Sequence, residues 1–214
     1  MGLFSKLFGK KNEDRTIAED TKSVSKIISS PIELYEQLIH IIVVSETLKS
    51  DLKIKLKQAL ENPQLFYDDQ DEFILSERGL TYPDDRLLTP KFVLIDTLMD
   101  NNQMAEVDWK EDEEEIRFAI NSIISAKKYS INLSDKTIYD NEDTSEIIAL
   151  IDKEELQPLG YGLKILDIDS DSYVFTIVPL SKQEEFSDFF LHSNNVNKHY
   201  KVSLRLKPHA LFLI

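Results

Sequence analysis

The chain contains no cysteine. Disulfides, thiolate metal sites and a cysteine nucleophile are therefore excluded. Glycine is scarce, with five residues in all, so few close approaches of backbone to a ligand are available. Gly160-Tyr161-Gly162 has neither the third glycine of a dinucleotide loop nor the Lys-Ser/Thr ending of a phosphate loop. His40, His192, His199 and His209 are scattered, with no H-x-x-x-H or H-E-x-x-H pair to suggest zinc. No G-x-S-x-G elbow occurs. Long apolar runs are also missing: the densest, Leu38 to Val44, contains His40 and is far too short to span a bilayer. The N-terminus has no long apolar signal region and no small-residue cleavage site. These absences fit a cytoplasmic protein with no cofactor and no recognisable catalytic apparatus. They do not exclude an enzyme.

Positive charge is the other shortage. The 25 Lys+Arg face 39 Asp+Glu, a net charge of −14. Binding of nucleic acid through its phosphates needs a cationic face and is not expected, although mimicry of nucleic acid is not excluded. The imbalance is concentrated. Residues 61–115 hold 17 acids and 4 bases, a net of −13, while the rest of the chain holds 22 acids and 21 bases. A field of this kind steers a cationic partner and speeds its encounter.

A length of 214 residues fits one domain with an appended tail. Residues 1–11, MGLFSKLFGKK, form an amphipathic segment with Leu3, Phe4, Leu7 and Phe8 on one helical face and Lys6, Lys10 and Lys11 nearby. Such a segment makes weak contact with a membrane surface, docks on a partner, or tucks onto its own domain. Lys6 stands where a myristoylation motif requires Ser or Thr. Residues 12–30 read as a polar linker, and residues 31–214 as a single α+β domain.

Within that domain, Ile32, Tyr35, Leu38, Ile39 and Ile42 recur at helical spacing behind Pro31. Ser50 is expected to cap a second helix that ends at Asn62-Pro63. A looser helical stretch over 64–78 stops at Gly79. Thr89-Pro90 starts a helix closed by Asn101-Asn102, and Met104 to Trp109 reads as a short strand. Glu111 to Glu115 occupy the first turns of the next helix, whose apolar face is Ile116, Ala119, Ile120, Ile123 and Ile124. Lys127 and Lys128 at its far end complement the helix dipole. Thr144 or Ser145 caps a further helix. Gly162 to Ile168 and Tyr173 to Val178 are strands around an Asp-Ser turn. Ser181 with Glu184 forms a capping box ahead of Phe186, Phe189 and Phe190, and Tyr200 to Leu206 is the last strand. The fold class that results is α+β, with N-terminal helices and a long acidic-capped helix packed on a small, largely antiparallel sheet.

Four stretches carry a resemblance: Leu94 to Met99, Ala105-Glu106-Val107-Asp108-Trp109-Lys110-Glu111-Asp112, Gly160 to Asp167, and Ser170-Asp171-Ser172-Tyr173 with the strand ending at Val178-Pro179. Over roughly residues 31–214 the chain resembles an uncharacterised bacterial family defined only as a domain of unknown function. That resemblance implies no activity, cofactor or catalytic residues. Analogy with small acidic bacterial domains adds a suggestion of immunity proteins of toxin systems.

The candidate site is a partner-binding surface of Asp108, Trp109, Glu111, Asp112, Glu113, Glu114 and Glu115. Its plain alternative is a helix N-terminus, where carboxylates gain up to about 1 kcal/mol each, but five are more than the dipole needs. Trp109 is either an exposed anchor or a core residue closing the strand, and the usual burial of large aromatics favours the core. Asp167, Asp169 and Asp171 have the 1-3-5 spacing of a calcium loop, but its sixth and twelfth positions hold Ser172 and Val178 in place of Gly and Glu; a polar turn is the better reading. Lys198, Lys201, Arg205 and Lys207 could cover part of the acidic region but cannot cancel it. The functional expectation is a non-enzymatic module that captures a basic protein, a toxin being the most concrete case, with no metal. The alternatives are a metal-dependent enzyme using carboxylates near Trp109 and the 167–171 turn, and a membrane-surface accessory protein recruited through residues 1–11.

Overall fold

The computed structural model describes residues 30–67, 75–183 and 185, with the backbone of Arg205 and Leu206. Pro31 opens helix α1 (Pro31–Ile42), where its missing N–H costs nothing. Helix α2 (Glu46–Glu61) starts earlier than Ser50. Its N-cap is Ser45, whose side chain accepts the Leu48 N–H. Ser50 instead donates its hydroxyl back to the Glu46 carbonyl from inside the helix. Ser45→Ala should therefore cost about 1 kcal/mol in a urea titration, and Ser50→Ala almost nothing. The chain then makes short 3₁₀ turns at Pro63–Phe66 and Leu75–Arg78 rather than one loose helix; the middle of that stretch lies outside the described residues. Gly79 does adopt the left-handed conformation, with φ +76°.

Helix α3 (Thr89–Asp100) is followed by strand β1 (Ala105–Val107). Helix α4 (Glu113–Ala126) is capped by Asp112, which accepts the Glu115 N–H at 3.0 Å. Helix α5 (Thr144–Leu150) is capped by Asp143, not by Thr144 or Ser145. It runs on into a π-helical turn, Ile151–Leu156. Strands β2 (Tyr161–Asp167) and β3 (Tyr173–Pro179) form the hairpin, and Arg205–Leu206 adds strand β4. The sheet is antiparallel, in the order β1-β3-β2-β4.

Alternation along the two long strands divides the core. Leu166, Val174 and Val178 face a cluster built by α1, α2 and α3. Leu163, Ile165, Phe175 and Ile177 face a second cluster from α4, α5 and the π turn. The domain is therefore three layers deep, with the sheet buried between two helical layers and its β1 edge between α3 and α4. This is the α+β architecture that the sequence predicts. Residues 1–29, Glu184 of the expected capping box and the phenylalanines after it, most of the last strand and the basic side chains at 198–207 lie outside the described residues; Ser181 lies in a 3₁₀ turn, Leu180–Lys182.

Two buried charged groups tie the layers. Lys127 stands at the C-terminal end of α4, as expected, and is in addition buried. Its Nζ donates to the Ile42 carbonyl at 2.7 Å, the Thr176 hydroxyl at 2.7 Å and the Ile177 carbonyl at 2.8 Å, joining α4 to the C-terminus of α1 and to β3. Arg117, 1% exposed, lies beneath the first turn of α4. It donates to Glu113 on its own helix, to both oxygens of Glu155 on the π turn, and to the Ser134 carbonyl.

Candidate functional site

The acidic segment 108–115 spans the exit from β1 and the start of α4. β1 pairs with β3 only as far as Val107 opposite Tyr173. The chain leaves the sheet there, so Trp109 is not enclosed by it. Trp109 is 49% exposed, and the Lys110 ammonium sits over its ring, 4.4 Å from the centroid. Asp108 accepts the Lys110 N–H and shapes the turn.

Of the predicted site residues, Asp108, Trp109, Asp112, Glu114 and Glu115 are exposed and Glu111 is half-buried. Glu113 is the correction. It is buried, and its carboxylate accepts the Ile138 and Tyr139 N–H groups and the Arg117 Nε. Burial alone would raise its pKa, but those backbone donors and the guanidinium outweigh burial and hold the carboxyl below its ordinary value. Glu113 cannot reach a partner. It anchors the 134–139 loop instead.

That anchoring brings in acids far away in sequence. Behind the loop come Asp140, Glu142 and Asp143, which face the 109–113 segment across a cleft of about 620 Å³ also lined by Tyr173. All three are exposed. Among the described residues, Asp108, Glu111, Asp112, Glu114, Glu115, Asp140, Glu142 and Asp143 form no ion pair. Glu146 responds to its immediate neighbours. A hydrogen bond with Glu142, then desolvation and the charges of Glu142 and Asp143, raise its carboxyl above the ordinary value. Asp143 moves the other way, lowered by the Ser145 hydroxyl and the Glu146 N–H that its cap geometry supplies.

Two other acids of the 61–115 window, Asp96 and Glu106, are internally paired. Arg78 donates to Asp96 and, at 2.9 Å, to Glu106, so these carboxylates add little outward field. Around the 167–171 turn, an Asp167 oxygen accepts the Asp169 N–H and Asp169 itself has φ +59°, the geometry of an Asx turn. Among the described residues, no group of three or more His, Asp or Glu side chains is arranged to hold a metal ion. No described helix is long and apolar enough to cross a membrane.

Fold and site together define a three-layer α+β domain with an acidic cleft, lined also by Lys110, whose carboxylates form no ion pair among the described residues, beside an exposed tryptophan. Residues 34–193 match the family described as Domain of unknown function (DUF6630), and the chain belongs to that family. No curated protein and no solved structure matches the chain.

Proposed function

We infer that this protein is a non-enzymatic binding module that captures a basic protein on the face formed by 108–115 and 140–146. The observation that carries the reading is convergence. Two segments separated by most of α4 and its following loop place on one cleft carboxylates that form no ion pair among the described residues, with Trp109 exposed at its wall. Like charges held together repel one another, and a cationic surface relieves that repulsion while gaining the steering that speeds association. A partially exposed Trp at such a site supplies the apolar anchor that charge alone lacks. A toxin is the most concrete partner, and a cytoplasmic setting is consistent with the reading.

The test places a photo-crosslinking amino acid at Lys110 in the full chain, and at Lys57 on α2 as a control, in the native cell. A basic protein trapped from the first position alone is the expected result. Its association rate should fall steeply with salt and drop by about tenfold or more in Glu114→Lys/Glu115→Lys, charges that are exposed and carry no fold contacts of their own. Capture of an acidic protein, or a rate indifferent to salt and to both reversals, would overturn the reading.

A further inference from the structure

The acidic cleft continues, through Glu111, into a second groove of about 280 Å³ that runs along β1. One wall is the end of α3 at Met99, the other the outer flank of α4 at Phe118 and Ala119, and Glu115 stands at its rim. Phe118 is 70% exposed, although it sits in the middle of a helix whose opposite face is fully buried. In the sheet formed by the described residues, β1 is the outer strand and pairs with β3 on one side alone. Among the described residues, no hydrogen bond reaches the β1 backbone from its other side. An open strand edge walled by the two helical layers has the shape of a slot for one more strand.

Resting on the binding reading above, we propose that the slot takes an extended, basic and apolar segment of the partner, which adds to β1 as a further strand. The chemistry of the rim selects this occupant. Alternate side chains of an added strand point to opposite faces, so lysines on the α4 side lay their apolar stems on Phe118 and reach Glu111 and Glu115 with their ammonium groups, while apolar residues on the other side meet Met99. A second copy of this chain is disfavoured by the same rim. Two-fold pairing of β1 with β1 would bring two sets of acids from 108–115 into apposition, and like charges brought together in this way are destabilising. Glu111 and Glu115 beside the strand therefore discourage self-association and favour a cationic strand, while Glu106 on the strand is already paired with Arg78. The shortness of β1, three residues, keeps the free edge from being a general aggregation site, and makes the flanking apolar and charged contacts necessary for binding.

The probe is a synthetic peptide of alternating lysine and valine, titrated into the full-length protein. Its control is the same peptide N-methylated at every backbone amide, which keeps the side chains and charge but removes every N–H. Strand addition predicts that the first peptide binds and protects the amides of 105–107 from hydrogen exchange. It predicts that the methylated peptide binds at least about tenfold more weakly, the equivalent of one or two lost hydrogen bonds. Phe118→Ala, an exposed truncation with no folding burden, should weaken binding about fivefold to tenfold through lost apolar contact. If both peptides bind equally and both lose affinity in Glu114→Lys/Glu115→Lys, the acidic-face reading stands and strand addition fails. If binding ignores those reversals, the acidic-face reading itself fails. Absence of binding by either peptide, or dimerisation of the protein alone with protection of 105–107, overturns the proposed occupant.

Discussion

Glu113→Ala should destabilise the domain by about 3 to 5 kcal/mol, the usual consequence of removing one partner from a buried charge pair. Arg117 keeps Glu155, but loses the carboxylate on its own helix while remaining buried. The Ile138 and Tyr139 N–H groups lose their acceptor at the same time, and half-buried donors left unpaired add to the loss. The double variant Glu113→Ala/Arg117→Met should be less damaged than the two single changes added together, because each single change already breaks the same Glu113–Arg117 contact. Urea titrations of the four proteins measure both quantities. A loss below about 1 kcal/mol for Glu113→Ala would mean that the network is not the anchor described.

The same carboxylate sets an acid limit. Its pKa in the folded protein lies below its ordinary value of 4.5, so the unfolded chain binds the proton more readily. The stabilisation is fully present above that ordinary value and is lost as pH falls below it towards the folded value. The wild type should therefore lose stability faster than Glu113→Gln as the solution is acidified below about pH 4.5. Hydrogen exchange at Ile138 and Tyr139 should report the loss first, since these amides are held by that carboxylate. The binding face depends on it too, because Asp140, Glu142 and Asp143 follow directly on the anchored loop.

Much of the fold was legible because local chemistry and tertiary packing agree. Pro31 and the Asn62-Pro63 break mark helix ends, and the 3.6-residue stripe Ile116, Ile120, Ile123, Ile124 marks the buried face of α4. That stripe also held a signal that charge counting concealed. Glu113, Arg117 and Lys127 occupy positions three before Ile116, three before Ile120 and three after Ile124, so each extends the apolar stripe at helical spacing. A charge on a buried stripe with an opposite charge four residues on is a packed network, not a solvated face. Trp109 was misplaced for another reason: burial statistics for large aromatics say nothing about where a three-residue strand ends. The contribution of 140–143 to the cleft could not be read, since it depends on the loop that Glu113 folds back across α4. Only six of the seven proposed contact residues face outward, and the missing one turns out to position the others' neighbours.

Lys127 gives the second large effect, of opposite pH sign. Burial draws its pKa down from 10.5 to about 7, with the nearby charge of Lys182 acting in the same direction. Its three hydrogen-bond acceptors match the three N–H bonds of an ammonium, yet no carboxylate lies within ion-pair distance of it among the described residues. The unfolded chain therefore binds the proton more tightly than the folded one between about pH 7 and 10.5, and stability must rise with pH across that window. The ceiling on the gain is about 5 kcal/mol. Half-buried Lys164 is lowered by desolvation as well and contributes with the same sign. Tyr129, pushed up to about 12 by burial, acts against this trend only where tyrosine ionises, near pH 10 and above. Guanidinium titrations of wild type and Lys127→Met at intervals from pH 7 to 9.5 separate these contributions. The wild-type stability should climb, and the variant should retain only the shallow slope due to Lys164. At pH 7 the methionine protein gains by shedding a desolvated amine but leaves the Ile42 carbonyl at the end of α1 without its donor, so the two proteins should differ less there than at pH 9.5. Parallel pH profiles would show that Lys127 keeps its ordinary affinity for the proton, held by the α1 terminus and β3 strongly enough to offset its burial.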